Sequence, residues 1–354
     1  MTHPPSFIVR ASKEFSTIRR QKFMYWEAYE AIEKTLSEFD VAERGFIEKA
    51  TDLEKKDLGY VGYFNSLFEQ VLDRISLEYT CGATMEECKA LYPAAVDAFE
   101  AWCIAFRDWH YREFPESKDV FIPNATDPKV GEHYLNLLRL LSLGALFNEG
   151  AQLRRIAYWI SAFRAKDGVV EALLFPFVPD TSECSTLYHL ALYDDLLGAA
   201  WEDPAESAQC MGTFLKGWYK YYKNASWHGA HLRFGNVATS PDWAGYYGYW
   251  AWEAAAVAYL YEQDDSSYRD HLVYPKDIVA WARQQGPVPK TYTPPSSTEP
   301  SLSALPGQPC PKAGLWYAPH LRMREVRMEL DEPMPGVGER GVTGAVTWYY
   351  KGLG

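Results

Sequence analysis

No two of the six cysteines stand at CxxC spacing, no lysine directly follows a glycine, and no histidine lies three residues after a glutamate. The first absence removes zinc ribbons and dithiol redox sites. The second removes the phosphate-cradling loop of P-loop nucleotide binders. The third removes the Glu-x-x-His pair with which carboxylate bundles hold two metal ions. Positive charge is also short: 35 Lys and Arg face 47 Asp and Glu, a net charge of −12. A nucleic-acid binder needs a basic face to displace counterions from phosphate, so the balance argues against direct nucleic-acid binding and suits a basic protein partner.

Long aliphatic runs are missing as well. The first 15 residues contain Arg10 and Lys13 but no apolar run of signal-peptide length. With scattered cysteines, this gives the expectation of a reduced, cytoplasmic chain. The stretch nearest to a membrane span, Trp243 to Tyr261, is built from Tyr, Trp and Ala with Glu253 in its middle. A carboxylate at the bilayer centre costs about 2.5–3.5 kcal/mol on the insertion scale, and Tyr and Trp prefer the interface. The segment therefore reads as a helix buried on every side, from 243 to 263, in a protein without membrane contact.

Aromatic residues are plentiful: 13 Trp, 25 Tyr and 17 Phe. Such rings hold cores together and also build interfaces and sugar platforms, so composition leaves these uses open. A chain of 354 residues has room for about two domains and buries roughly three quarters of its unfolded surface without staples.

Apolar positions 15, 18, 25, 29, 32, 36 and 39 recur three, four or seven apart, which predicts one long helix from Ser12 to Asp40 with Ser12 as N-cap. Further helices are predicted at about 60–80, 85–113, 128–148, 151–166, 184–198, 204–223, 243–263 and 275–284. Asp127-Pro128 reads as one helix start and Asp167-Gly168 as another's end. From Gly286 to Gly307, 13 of 22 residues are Pro, Ser or Thr, too little to bury and extended by preference. Runs Gly314–Tyr317, Arg324–Met328 and Ala345–Tyr350 then read as strands. The expected fold is mainly α, a multi-helix bundle or stacked helical hairpins over 1–285, a linker over 286–307, and a small β module over 308–354. Residues 291–354 hold six basic and six acidic groups, so the whole acidic excess falls on the helical domain.

Gly336-x-Gly338-x-x-Gly341 matches the dinucleotide pattern, yet the 13 residues after it are too few for a helix and strand. These read as turn glycines. His228 and His231 flank a glycine and read as packing or loop residues. His110 and Glu113 read as a hydrogen-bonded pair. Asp194-Asp195 and Asp264-Asp265 lack the third Asp of a magnesium-binding motif and read as solvated helix-end acids. No metal and no cofactor is expected. Glu253 is either a general acid in an aromatic cavity or a structural buried carboxylate tied to a donor, and the second is the ordinary outcome for a buried acid.

The stretch Tyr249-Trp250-Ala251-Trp252-Glu253-Ala254-Ala255-Ala256, then Asp264-Asp265-Ser266-Ser267, then Tyr274-Pro275-Lys276-Asp277 resembles the helical immunity proteins of bacterial polymorphic toxin systems. The tail residues Cys310-Pro311, Gly314, Trp316, Met334-Pro335, Gly344, Val346 and Trp348 resemble the small β module appended to some of them, often near type VI secretion genes. The resemblance implies a non-catalytic antidote that binds a cognate secreted toxin, a nuclease in many cases, and blocks its active site during bacterial competition. A nuclease presents basic surface to phosphate, which an acidic helical domain complements. The acids expected at helix ends are the candidate toxin contacts: Asp194, Asp195, Glu202, Asp203, Asp264, Asp265 and Asp270, with Tyr268 as an aromatic anchor. A homo-oligomer stays open. So do two other readings: a sugar-cleaving helical toroid using Glu253 with Asp242 or Asp194, and a helical scaffold that binds without neutralising.

Overall fold

The computed structural model describes residues 14–116, 131–178, 181, 184, 186–201, 204–236, 245–286, 288, 302–305, 307–318, 324–334 and 348–352. Among them are eleven α-helices and a four-stranded sheet, so the chain is mainly α with a small C-terminal β module, as expected.

Local rules account for the starts of two long helices. Helix α3 (Leu58–Thr80) starts at Asp57, whose carboxylate accepts the Gly59 N–H. Helix α4 (Met85–Glu113) starts with a capping box: Thr84 accepts from the Glu87 N–H while Glu87 reaches back to the Thr84 N–H. Both satisfy first-turn donors that a helix cannot pair internally.

The expected helix over 12–40 is two helices. Ser12 itself lies outside the described residues. Helix α1 spans Phe15–Ile18 and α2 spans Trp26–Lys49. No Gly or Pro separates them; Gln21 does. Its Nε2 donates to the carbonyls of Tyr249 (2.8 Å) and Leu272 (3.0 Å), and its Oε1 accepts from Tyr246 Oη (2.6 Å) and the Tyr249 N–H (2.9 Å). Gln21 is 1% exposed. Four bonds on one buried amide outweigh the local helical period.

Two helices form the centre. In α5 (Gly131–Leu146), Leu135, Leu137, Leu138, Leu140, Leu141 and Leu143 are all buried, so the helix is covered on every side. It meets α10 (Trp252–Leu260), in which all nine residues are buried. The close approach of α5 to α4 needs Gly144, because a Cβ there would collide with Tyr92 Oη.

Helix α10 begins nine residues later than the expected 243–263. Gly245 and Gly248 take φ of +132° and +105°, which breaks a helix before 252. A Cβ on Gly248 would strike Thr80 Oγ1, and that hydroxyl donates to the Tyr247 carbonyl and accepts from Trp250 Nε1. Asp167-Gly168 also differs from expectation, opening a helix rather than closing one. Helix α6 is Gly150–Trp159, and Asp167 caps α7 (Gly168–Leu174), accepting from the Val169 and Val170 N–H groups at 3.1 Å.

Helices α8 (Leu190–Trp201), α9 (Pro204–Tyr221) and α11 (Lys276–Gln284) complete the helical body. None of the helices among the described residues is long and apolar enough to cross a membrane. The helical core reaches Val288, while strand β1 (Ser303–Ala304) lies inside the expected linker. It pairs with β4 (Trp348–Gly352), which pairs with β2 (Gly314–Ala318), which pairs with β3 (Arg324–Met328), all antiparallel. Ala304, Cys310, Trp316, Met328 and Met334 form a second, separate core.

Candidate functional site

The expected contact acids divide by burial. Asp194 is exposed and Asp195 half-buried on α8, the latter's carboxyl pushed up by burial and then by the charge of Asp194. Glu202, Asp203 and the Gly336–Gly341 turn lie outside the described residues. In the α10–α11 connection, Asp264 and Asp270 are exposed. Asp264 accepts from the Ser266 N–H and hydroxyl, and Asp270 from Lys276 Nζ at 2.6 Å; these bonds hold both carboxyls below the usual range.

Asp265 and Tyr268 are not surface groups. Asp265 is 4% exposed and receives Arg283 Nη1 (3.1 Å), Arg269 Nη1 (3.4 Å) and Tyr274 Oη (3.2 Å). Tyr268 is 6% exposed, and its hydroxyl donates to Gln263 Oε1. The same Gln263 donates to the Ala199 carbonyl at the end of α8, and its own carbonyl accepts from Arg283. This pair fixes the turn that presents Asp264 and Asp270; it does not face solvent.

Glu253 is 0% exposed. Its Oε1 accepts from Trp218 Nε1 at 2.7 Å and Tyr193 Oη at 3.0 Å, while no donor among the described residues bonds Oε2. Burial pushes this carboxyl up to about 7, against the lowering effect of its own backbone N–H and then of Trp218 and Tyr193. Full enclosure gives it no route to a sugar substrate, and Asp242 lies outside the described residues. The histidines are packing groups: His228 stacks on Tyr219 at 4.2 Å, His231 Nδ1 pairs with Tyr249 Oη at 2.7 Å, and His110 is buried against Phe114. No cluster of three potential metal ligands occurs among the described residues.

The sequence reading missed a cavity of about 380 Å³ between α3, α5, α9 and the segment before α10. Three carboxylates line it: Glu69 and Asp73, one turn apart on α3, and Glu132 in the first turn of α5. Asp73 pairs with Arg139 at 2.9 Å. Glu132 accepts the Ser226 N–H at 2.5 Å. Glu69 receives only the amides of Asn65 (3.1 Å) and Asn136 (3.2 Å), and no cation among the described residues pairs with it. Burial, then the charge of Asp73, pushes the Glu69 carboxyl up to about 7.

The walls are indoles. Trp218 and Trp227 stack at 5.3 Å, and Trp250 lies 6.3 Å from Trp252. Trp218 is pinned by Glu253 and Trp250 by Thr80. Phe39, 53% exposed, stands at the cavity's edge. The spacing of Glu69 and Asp73, four apart and so on one face of α3, was the available signal. Their meeting with Glu132 and the tryptophans was not readable, because those residues come from distant parts of the chain.

In fold, the chain is similar to protein PA2201 from Pseudomonas aeruginosa, whose crystal structure superposes with a TM-score of 0.52 at 17% identity, covering 76% of this chain and 92% of that one. No curated protein matches it. Two family models do match: the N-terminal region of the PoNe immunity proteins (PoNi) over residues 24–158, and their C-terminal region over residues 165–278. Together these take in most of the helical body, the cavity's carboxylates and the turn around Asp265. The chain belongs to the PoNe immunity proteins and acts in immunity against a toxin.

Proposed function

We propose that the chain neutralises its cognate toxin by direct, non-catalytic binding, that the toxin is a secreted nuclease with a basic active-site surface, and that the acidic helical body covers that surface in the cytoplasm of the producing cell. The family match over the helical body carries this reading. The charge distribution supports it: the net charge of −12 belongs to the helical part, since the tail is balanced. Opposite potentials steer encounter and raise association rates, most strongly at low ionic strength. A setting in type VI secretion fits the resemblance of the tail.

Co-expression tests it. Cells producing the toxin domain survive when this chain is present, and purified chain suppresses DNA cleavage by that domain at a 1:1 ratio of about equal concentrations. The association rate falls steeply as salt rises. Survival without complex formation, or a complex that leaves cleavage intact, overturns the reading.

A further inference from the structure

The cavity has a property that its structural duties do not explain. Glu69 is half-buried and makes no ion pair among the described residues: Arg139, whose charge acts on it from nearby, bonds Asn136 Oδ1 and pairs with Asp73. A carboxylate drawn partly out of water with no ion-pair partner costs stability, and an amide side chain of the same size avoids that cost. Both amide bonds to Glu69 fall on Oε1, which leaves Oε2 for a donor. Glu132 adds a second carboxylate, so the three acids of the lining outnumber its two arginines, Arg139 and Arg233, and the indoles of Trp218, Trp227 and Trp252, a ring type that attracts cations, line the same cavity. A volume of about 380 Å³ lies in the range of ligand clefts, ~300–1,000 Å³.

A small metal ion is the poorer occupant. It requires several oxygens converging on one point, and no such group of three exists among the described residues. A planar guanidinium or an ammonium on a long apolar stem fits better, because the stem lies against indole while the head reaches the carboxylates. Phe39 at the edge offers the apolar rim that surrounds a buried anchor in protein interfaces.

We infer that this cavity receives a cationic side chain, arginine or lysine, presented by the toxin, with Glu69 and Glu132 as its counter-charges and the tryptophans as its walls. The inference rests on the toxin-binding reading and names where an anchor residue of the partner is held.

The test compares full-length wild type, the double variant E69Q/E132Q, and the control E27Q/E30Q, which removes the same charge from exposed positions on α2. Binding of the cognate toxin domain is measured by surface plasmon resonance, with thermal melts to verify folding. The double variant melts no lower than wild type yet binds at least ~30-fold more weakly through faster dissociation, the lower bound for removing one side of a buried charge pair. The control alters the association rate alone. In parallel, N-acetyl-arginine methylamide, its lysine counterpart and a neutral norleucine counterpart are titrated while tryptophan fluorescence is followed. The cationic probes quench it in wild type and not in E69Q/E132Q, and the stronger of the two identifies the head group. A folded double variant that binds toxin like wild type, or equal quenching by the neutral probe, overturns the inference and leaves the toxin reading standing. Absence of any wild-type complex overturns the reading itself, and the probe titration then decides the cavity separately.

Discussion

Trp218 Nε1 donates to Glu253 Oε1 across 2.7 Å, so the most enclosed carboxylate of the core holds one wall of the tryptophan-lined cavity. Glu253 therefore acts on the surface at second hand, by fixing an indole that also stacks on Trp227.

That placement has a pH signature. The Glu253 carboxyl is raised to about 7 in the folded chain, from an ordinary 4.5, by burial. A group raised in the folded state favours folding when protonated. Its stabilisation is fully present below about 4.5, declines as the unfolded chain ionises, and is gone above about 7. A rise of this size corresponds to ~3 kcal/mol. Urea unfolding between pH 5 and 8 is expected to show falling stability, with a shallower slope in E253Q, whose amide keeps an oxygen for Trp218 and Tyr193. An unchanged slope in E253Q would place the effect elsewhere, with Glu69 the next group to replace.

Gln21 offers a second check. Replacing it with Ala leaves the Tyr246 hydroxyl and the Tyr249 and Leu272 backbone groups without their buried partner. Each buried polar group left unsatisfied costs about 1–3 kcal/mol. Q21A is expected to lose at least ~3 kcal/mol by denaturant unfolding. Its hydrogen exchange should accelerate at residues 246–251 as well as 19–25, although these segments lie more than 220 positions apart.

Those two residues also mark where the sequence stops being readable. Helices α3, α4 and α11 carry their own period, and Asp57 and Thr84-Glu87 announce two of the starts within four residues. The break between α1 and α2 has no such local cause, since Gln21 interrupts the period only through partners far along the chain. The late start of α10 was legible in Gly245 and Gly248, but the apolar composition around Glu253 outweighed them in the reading. Asp167-Gly168 was ambiguous in kind: an Asp before a Gly ends one helix as readily as it caps the next. Of the site, the acidic turn at 264–270 was visible as residues and invisible as geometry, because nothing local distinguishes exposed Asp264 from buried Asp265.

Gly248 tests the tight passage over Thr80. Its φ of +105° disfavours any L side chain, and a Cβ would meet Thr80 Oγ1. G248A is expected to destabilise by about 2 kcal/mol or more, read as a lowered urea midpoint with an unchanged m-value. G229A meets no atom within 4 Å at a comparable φ of +71° and isolates the backbone strain from the collision.

The acids of the α10–α11 turn should separate by role. Asp265 joins Arg269, Arg283 and Tyr274 from within the core, so D265A leaves two guanidinium groups without their shared partner. A cost of ~3–5 kcal/mol is the usual result of breaking a buried ion pair from one side, discounted toward the lower figure here because both arginines are partly exposed. D264K and D270K, by contrast, change exposed groups, and each is expected to leave the melting temperature within the range of ordinary surface substitutions. If this turn faces the toxin, D264K/D270K slows association and flattens its salt dependence, because steering follows the charge that the partner meets first. Unchanged kinetics in that folded double variant would move the interface away from this turn and toward the cavity beside Glu69, some of whose walls Glu253 and Thr80 already hold in place.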